Sequence, residues 1–73
     1  MKAAKLLPKN AKARGLLSKI GTNEWTVIDV KEMVPFSDKP GPWYFVRPNT
    51  GKGEHNERWV NRDNDTLFKL EFL

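Results

Sequence analysis

The residue types that perform catalysis are thinly spread through this 73-residue sequence. An enzyme needs a nucleophile, an acid–base pair or a metal-ligand set gathered in a pocket, and His55 is the single histidine. It lies in the polar run Lys52–Glu57, where a solvent-facing loop imidazole is the expected state. The chain has no cysteine, so a zinc site would rest on carboxylates, an uncommon arrangement. Asp63-Asn64-Asp65 offers alternating oxygen ligands of the calcium-loop kind, but the glycine and the later bidentate glutamate of such a loop are missing. These three residues read instead as a turn capped by Asx side chains. Gly51-Lys52-Gly53 lacks the Gly-Lys-Ser/Thr element and following helix of a phosphate-binding loop and reads as a hairpin turn. Asn64-Asp65-Thr66 is formally a glycosylation sequon, with no secretory segment to bring it to the modifying enzyme. The expectation is a protein without catalytic residues, metal or cofactor.

What remains is chemistry of recognition. Trp43, Tyr44 and Phe45 are consecutive, so in a strand Tyr44 points away from the other two, and so small a sheet can hardly bury both faces. Arg47, Arg58 and Arg62 lie close to this set in sequence, with Trp59 beside Arg58. Exposed rings interleaved with guanidinium groups suit stacking on unpaired bases. Trp, Tyr and Arg are equally the residues enriched in protein-interface hot spots. Core packing competes for the same rings, Trp25 and Phe68 above all, because the chain holds three Trp, four Phe and one Tyr and little aliphatic material.

Charge is divided unevenly. Residues 1–20 carry Lys2, Lys5, Lys9, Lys12, Arg14 and Lys19 and no acid, a formal +6, whereas seven basic and nine acidic residues follow, a formal −2. A basic segment of this kind seeks anionic surfaces, either phosphate backbones or acidic protein faces, unless it is merely a solvated tail. The expected contact residues are Lys2, Lys5, Lys9, Lys12 and Arg14 from this arm, with Trp43, Tyr44, Arg47, Arg58, Trp59 and Arg62 from the remainder.

The elements that must position them follow from pattern. One domain is all that the length permits. Pro8 makes Met1–Lys9 a loose segment. Asn10 is a plausible cap for a helix over 10–20, with Ala13, Leu16, Leu17 and Ile20 on one face, Gly21 as terminator, and Gly15 costing about 1 kcal/mol relative to Ala; a strand over Ala13–Ile20 is the alternative. Trp25–Val34 is the best strand, dense in β-branched residues, and the face bearing Thr26, Ile28 and Val30 is the expected core side. Pro35–Pro42 is a loop, with a type II turn at Pro40-Gly41. Trp43–Arg47, Arg58–Asn61 and Leu67–Phe72 are further strands, the last alternating Phe68, Leu70 and Phe72 with Lys69 and Glu71. The expected fold is mainly β: a small antiparallel sheet of about four strands over 21–73, an SH3-like half-barrel, preceded by a basic N-terminal arm over 1–20 that is partly a short helix.

No apolar run approaches the roughly 20 residues that cross a bilayer, and Met1–Leu7 lacks the apolar stretch of a secretory signal. With the absence of cysteine, these features lead to the expectation of a cytoplasmic, monomeric protein with no membrane partner.

The arm Met1–Ile20, the run P-F-S-D-K-P-G-P-W-Y-F-V-R-P at 35–48 and E-R-W-V-N-R-D-N-D at 57–65 resemble the small RNA polymerase-binding regulators of lytic phages that infect plant-pathogenic bacteria. The resemblance implies binding to the host RNA polymerase, inhibition of initiation at host promoters and suppression of termination, all without catalysis. It carries over no individual functional residue. The residues themselves leave two alternatives open: an RNA or single-stranded DNA binder on an SH3-like or OB-like sheet, and a structural or assembly module.

Overall fold

The computed structural model describes residues 2–50 and 56–73; the Gly51-Lys52-Gly53 turn and His55 lie outside them. Five strands and one helix follow in chain order: β1 (Lys2–Pro8), α1 (Ala11–Ile20), β2 (Glu24–Lys31), β3 (Trp43–Pro48), β4 (Arg58–Asn61) and β5 (Phe68–Phe72). All pairings are antiparallel, and the strand order is β4-β3-β2-β1-β5, which returns the last strand to the side of the first. The sheet curls into a half-barrel. At its seam the Arg58 guanidinium, opening β4, lies 4.8 Å from the ring centre of Phe68, opening β5. The small β half-barrel expected from sequence is therefore present, with five strands in place of four.

The fifth strand is the segment expected to be loose. Lys2–Pro8 forms the strand between β2 and β5, with Ala4 and Leu6 wholly buried. Its residues have modest β-propensity, and its order comes from pairing on both edges. Pro8 stands at its last position, where it opposes Phe68 and its missing N–H costs no ladder bond inside the strand.

The helix forms where its caps place it. Asn10 is extended and its side-chain oxygen accepts from the Ala13 N–H at 2.9 Å. At the other end Gly21, at φ 91°, donates its N–H to the Leu17 carbonyl at 2.9 Å, a left-handed conformation that glycine adopts without a Cβ penalty. Asn10 also donates its amide to the Thr66 carbonyl at 3.2 Å, tying the helix start to the β4–β5 turn. Ala13 and Leu17 face inward, joining Ala4, Leu6, Trp25, Val27, Val46, Val60, Phe68 and Leu70 in one core. The basic leader is thus a packed part of this core.

On β2 the buried side chains are Trp25 and Val27. The opposite face, carrying Thr26 and Ile28, was the expected core side, and that expectation is corrected here. Pairing explains the outcome: Val27 opposes Val46 and Asp29 opposes Phe45, so Ile28 is the extra residue of a β-bulge. The bulge resets the alternation, and Val30, which opposes Tyr44, ends half exposed beyond the core. Bulges re-aim side chains in this way.

Candidate binding site at one end of the half-barrel

The curl has two unlike ends. β1 runs from Lys2 at one end to Pro8 at the other, and the helix that follows Pro8 covers the second end. The first end holds the start of β1, the close of β2, the start of β3 and the close of β5. Here a cavity of about 520 Å³ opens between Lys2, Val27, Ile28, Asp29, Val30, Tyr44 and Phe72, a volume within the range of ligand-sized clefts. Tyr44 and Phe72 meet edge to face with ring centres 5.1 Å apart, and the Lys2 ammonium sits 4.4 Å from the Phe72 ring centre. Asp29 spends one carboxylate oxygen on the Val30 N–H at 2.8 Å. Arg62, just past β4, is bridged to Asp63 at 3.2 Å; this carboxylate, with a smaller contribution from Tyr44, raises the guanidinium pKa above its ordinary value.

Beside the cavity the β2–β3 loop is fixed by its backbone and by one buried side chain. Val34 and Ser37 form a bridge, Gly41 donates to the Glu32 carbonyl at 2.8 Å, and the Arg62 N–H reaches the Pro42 carbonyl at 3.2 Å. Gly41 does not occupy the left-handed region, so the expected type II turn is not formed. Glycine is needed there for space: a Cβ would lie 2.8 Å from the carbonyl oxygens of Lys31 and Glu32. Asn61, 1% exposed, donates to the Pro40 carbonyl at 2.9 Å and accepts from the N–H groups of Asp63 and Asn64 at 3.1 and 3.0 Å. One side chain thereby holds the two loops that border this end.

This loop covers Trp43, whose indole N–H donates to the Lys39 carbonyl at 3.1 Å and whose ring meets Phe36 edge to face at 5.4 Å. Trp43 is therefore buried, and its expected place on an exposed aromatic surface is corrected. Val34 is likewise buried, and neither residue belongs to the main core. Phe36 itself stays 59% exposed and Met33 81%. Val30, Met33, Phe36 and Leu73 are the exposed large hydrophobics among the described residues, and all four belong to this end: Leu73 follows β5 and donates its N–H to the Ala3 carbonyl.

The structure divides the eleven expected contact residues. Lys2, Tyr44 and Arg62 come together at the open end, and Trp43 lies under the adjoining loop. Trp59 is half-buried on the sheet surface, 4.9 Å from Phe45 between ring centres, with the Lys31 ammonium 5.6 Å away. Lys5 is partly buried between its cross-strand neighbours Glu24 and Glu71. Arg47 and Arg58 belong to the helix end. Arg47 holds Glu57 through two bonds to one oxygen at 2.9 and 2.7 Å, and Arg58 covers Phe68 at the seam. Lys9 donates to the Asp65 carbonyl at 2.6 Å, and Lys12 and Arg14 project from α1 into solvent.

Sequence reasoning passed over Asp29, which belongs to no motif, and over Val30, Met33, Phe36 and Phe72, which are uncharged. Their common feature was available in outline: apolar side chains at strand ends and in a proline-rich loop, where no core awaits them.

Fold and surface together define a small antiparallel half-barrel with exposed apolar side chains and a cavity at one end and a cationic helix at the other. No protein-family model, curated protein or solved structure matches the chain. Among the described residues there is no cluster of three or more potential metal ligands, and no helix is long and apolar enough to cross a membrane.

Proposed function

We propose that this chain is a non-enzymatic docking domain that regulates transcription in the bacterial cytoplasm by binding RNA polymerase as a monomer, inhibiting initiation and suppressing termination. The polymerase is the partner implied by the sequence resemblance. The observation that carries the docking role is the open-end cavity, where exposed Val30 borders the Tyr44–Phe72 pair, together with the exposure of Met33 and Phe36 on the β2–β3 loop and of Leu73 after β5. Contiguous exposed apolar surface rimmed by polar groups is a mark of protein association, and the fixed β2–β3 loop limits the ordering cost of binding. Lys2 and Arg62 supply a charged rim of the kind that sets orientation and on-rate.

A protein fits this end better than a nucleic acid. Val30, Met33 and Leu73 have no π-face for a base to stack on, and Asp29 places a negative charge at the wall where a phosphate would run.

The test is capture of purified RNA polymerase by the tagged chain, compared with a variant carrying Met33→Ser and Phe36→Ser. Met33 is exposed and Phe36 gives up only its edge-to-face contact with Trp43, worth about 0.5–1.5 kcal/mol, so the melting transition should fall by no more than about 10 °C and stay cooperative. Retention of polymerase by the parent and its loss by the variant is the expected pair of results. Failure of the parent to retain polymerase removes the partner, and equal retention by the variant removes the surface.

A further inference from the structure

The helix end carries a surface of a different kind. The apolar side of α1, Ala13, Leu16, Leu17 and Ile20, packs on the core, leaving Ala11, Lys12, Arg14, Gly15, Ser18 and Lys19 in solvent. No acid lies between residues 1 and 20. The six cations of the leader do not act together: Lys2 belongs to the cavity, Lys5 lies between two glutamates, and Lys9 is committed to the Asp65 carbonyl. Lys12, Arg14 and Lys19 remain, none with an ion-pair partner among the described residues.

At 3.6 residues per turn, Lys12 and Lys19 share one flank about 10 Å apart along the axis, and Arg14 stands on the other flank, roughly 150° around. Between the flanks Gly15 faces open space. No aromatic or large aliphatic side chain on this face can anchor a protein hot spot or enter a lipid surface, since Leu16, Leu17 and Ile20 are all turned inward. Positive charge on two flanks of a slender helix matches a different target, a groove bordered by two phosphate rails. An α-helix about 10–12 Å across fits the major groove of B-form DNA, about 12 Å wide, whereas the major groove of duplex RNA is too narrow to receive one.

We infer that the outer face of α1 is a second binding surface, which seats in the major groove of duplex DNA and holds its phosphates through Lys12 and Lys19 on one strand and Arg14 on the other. Ala11, Gly15 and Ser18 face the groove floor, so no base pair is preferred. Binding is weak, in the roughly 10⁻⁴–10⁻⁶ M range of non-specific complexes, and three contacts give a log–log salt slope of about −2.7. The inference stands apart from the protein-docking reading, because it uses other residues at the opposite end.

The experiment is fluorescence anisotropy of the whole chain with a short mixed-sequence duplex DNA over a salt series, set beside the same sequence as a single strand, the corresponding duplex RNA, and polyglutamate. The expected result is duplex DNA bound most tightly and a loss of roughly tenfold or more on replacing Lys12→Gln, Arg14→Gln and Lys19→Gln together, with the melting transition kept. Should the triple variant lose its fold, the three single variants carry the same test, each with a smaller loss. No binding of duplex DNA by the parent at low salt overturns the inference. So does unchanged affinity in the charge variants, or binding of the single strand, duplex RNA or polyglutamate as tight as that of duplex DNA.

Discussion

Asn61→Ala is the sharpest test of how this fold holds its open end. The side chain is 1% exposed and makes three close bonds: its amide donates to the Pro40 carbonyl at 2.9 Å, and its oxygen accepts from the Asp63 and Asn64 N–H groups at 3.1 and 3.0 Å. Alanine removes all three and leaves backbone groups of two loops without the partner they had. At about 1 kcal/mol net for each bond, the loss is about 3 kcal/mol, a large part of the roughly 4–11 kcal/mol that a domain of this length possesses. With an unfolding entropy near 150 cal/mol/K for such a chain, the melting temperature should fall by about 20 °C. Differential scanning calorimetry measures the shift, and hydrogen exchange should show the Asp63 and Asn64 amides losing protection first. Asn64→Ala is the control, because Asn64 is exposed, its backbone N–H keeps its bond to Asn61, and its side chain reaches Asn61 only through a long bond of 3.4 Å; it should cost less than about 0.5 kcal/mol. If Asn61→Ala melts within about 5 °C of the parent, the two loops are held by something other than this side chain, and the reasoning fails.

Three further outcomes follow from named contacts. Leu6→Ala, in the wholly buried middle of β1, should destabilise by about 2–5 kcal/mol in urea unfolding; a change below about 1 kcal/mol would return the leader to the status of a loose arm. Gly15→Ala should raise the melting temperature by about 5 °C, since the position is helical and a Cβ there meets nothing within 4 Å; an unchanged or lowered value would mean that α1 is not helical at Gly15. Gly41→Ala should cost about 2 kcal/mol, because its Cβ would lie 2.8–2.9 Å from the backbone of Lys31 and Glu32, and a neutral result in thermal unfolding would show that the loop yields there.

Where local pattern and tertiary need agreed, the fold was legible from residue types. Asn10 and Gly21 bracket the helix because each satisfies backbone groups that the helix leaves unpaired, and the actual bounds, Ala11–Ile20, follow from those two residues alone. Trp43–Pro48, Arg58–Asn61 and Phe68–Phe72 lie close to the expected strands for the same reason: aromatic and β-branched residues between turn formers. β1 escaped detection because K-A-A-K-L-L-P has neither β-branched residues nor alternation, and its strand state is supplied by β2 and β5, which are distant in sequence. The inverted face of β2 has another cause. Trp25 and Val27 on one side compete with Ile28 and Val30 on the other, and the choice rests on a bulge at Ile28 that only the pairing with Val46 and Phe45 reveals.

The site was legible in its charged members and not in its apolar ones. Lys2, Tyr44 and Arg62 meet at one end because three strands, far apart in sequence, begin or finish there, a coincidence of topology that no local motif records. The same topology divides a leader that reads as one basic block. β1 carries Lys2 to the open end, places Lys5 between Glu24 and Glu71 at mid-sheet, and delivers Lys12, Arg14 and Lys19 on α1 to the far end. A formal +6 over twenty residues therefore does not make one electrostatic field. At a Debye length of about 8 Å in physiological salt, charges at opposite ends of a body some 30 Å long act separately. It follows that the two ends can be altered independently: the Met33→Ser and Phe36→Ser pair should leave salt-dependent DNA binding intact, and neutralising α1 should leave apolar docking intact. Cross-talk between them would mean that one surface, and not two, accounts for both activities.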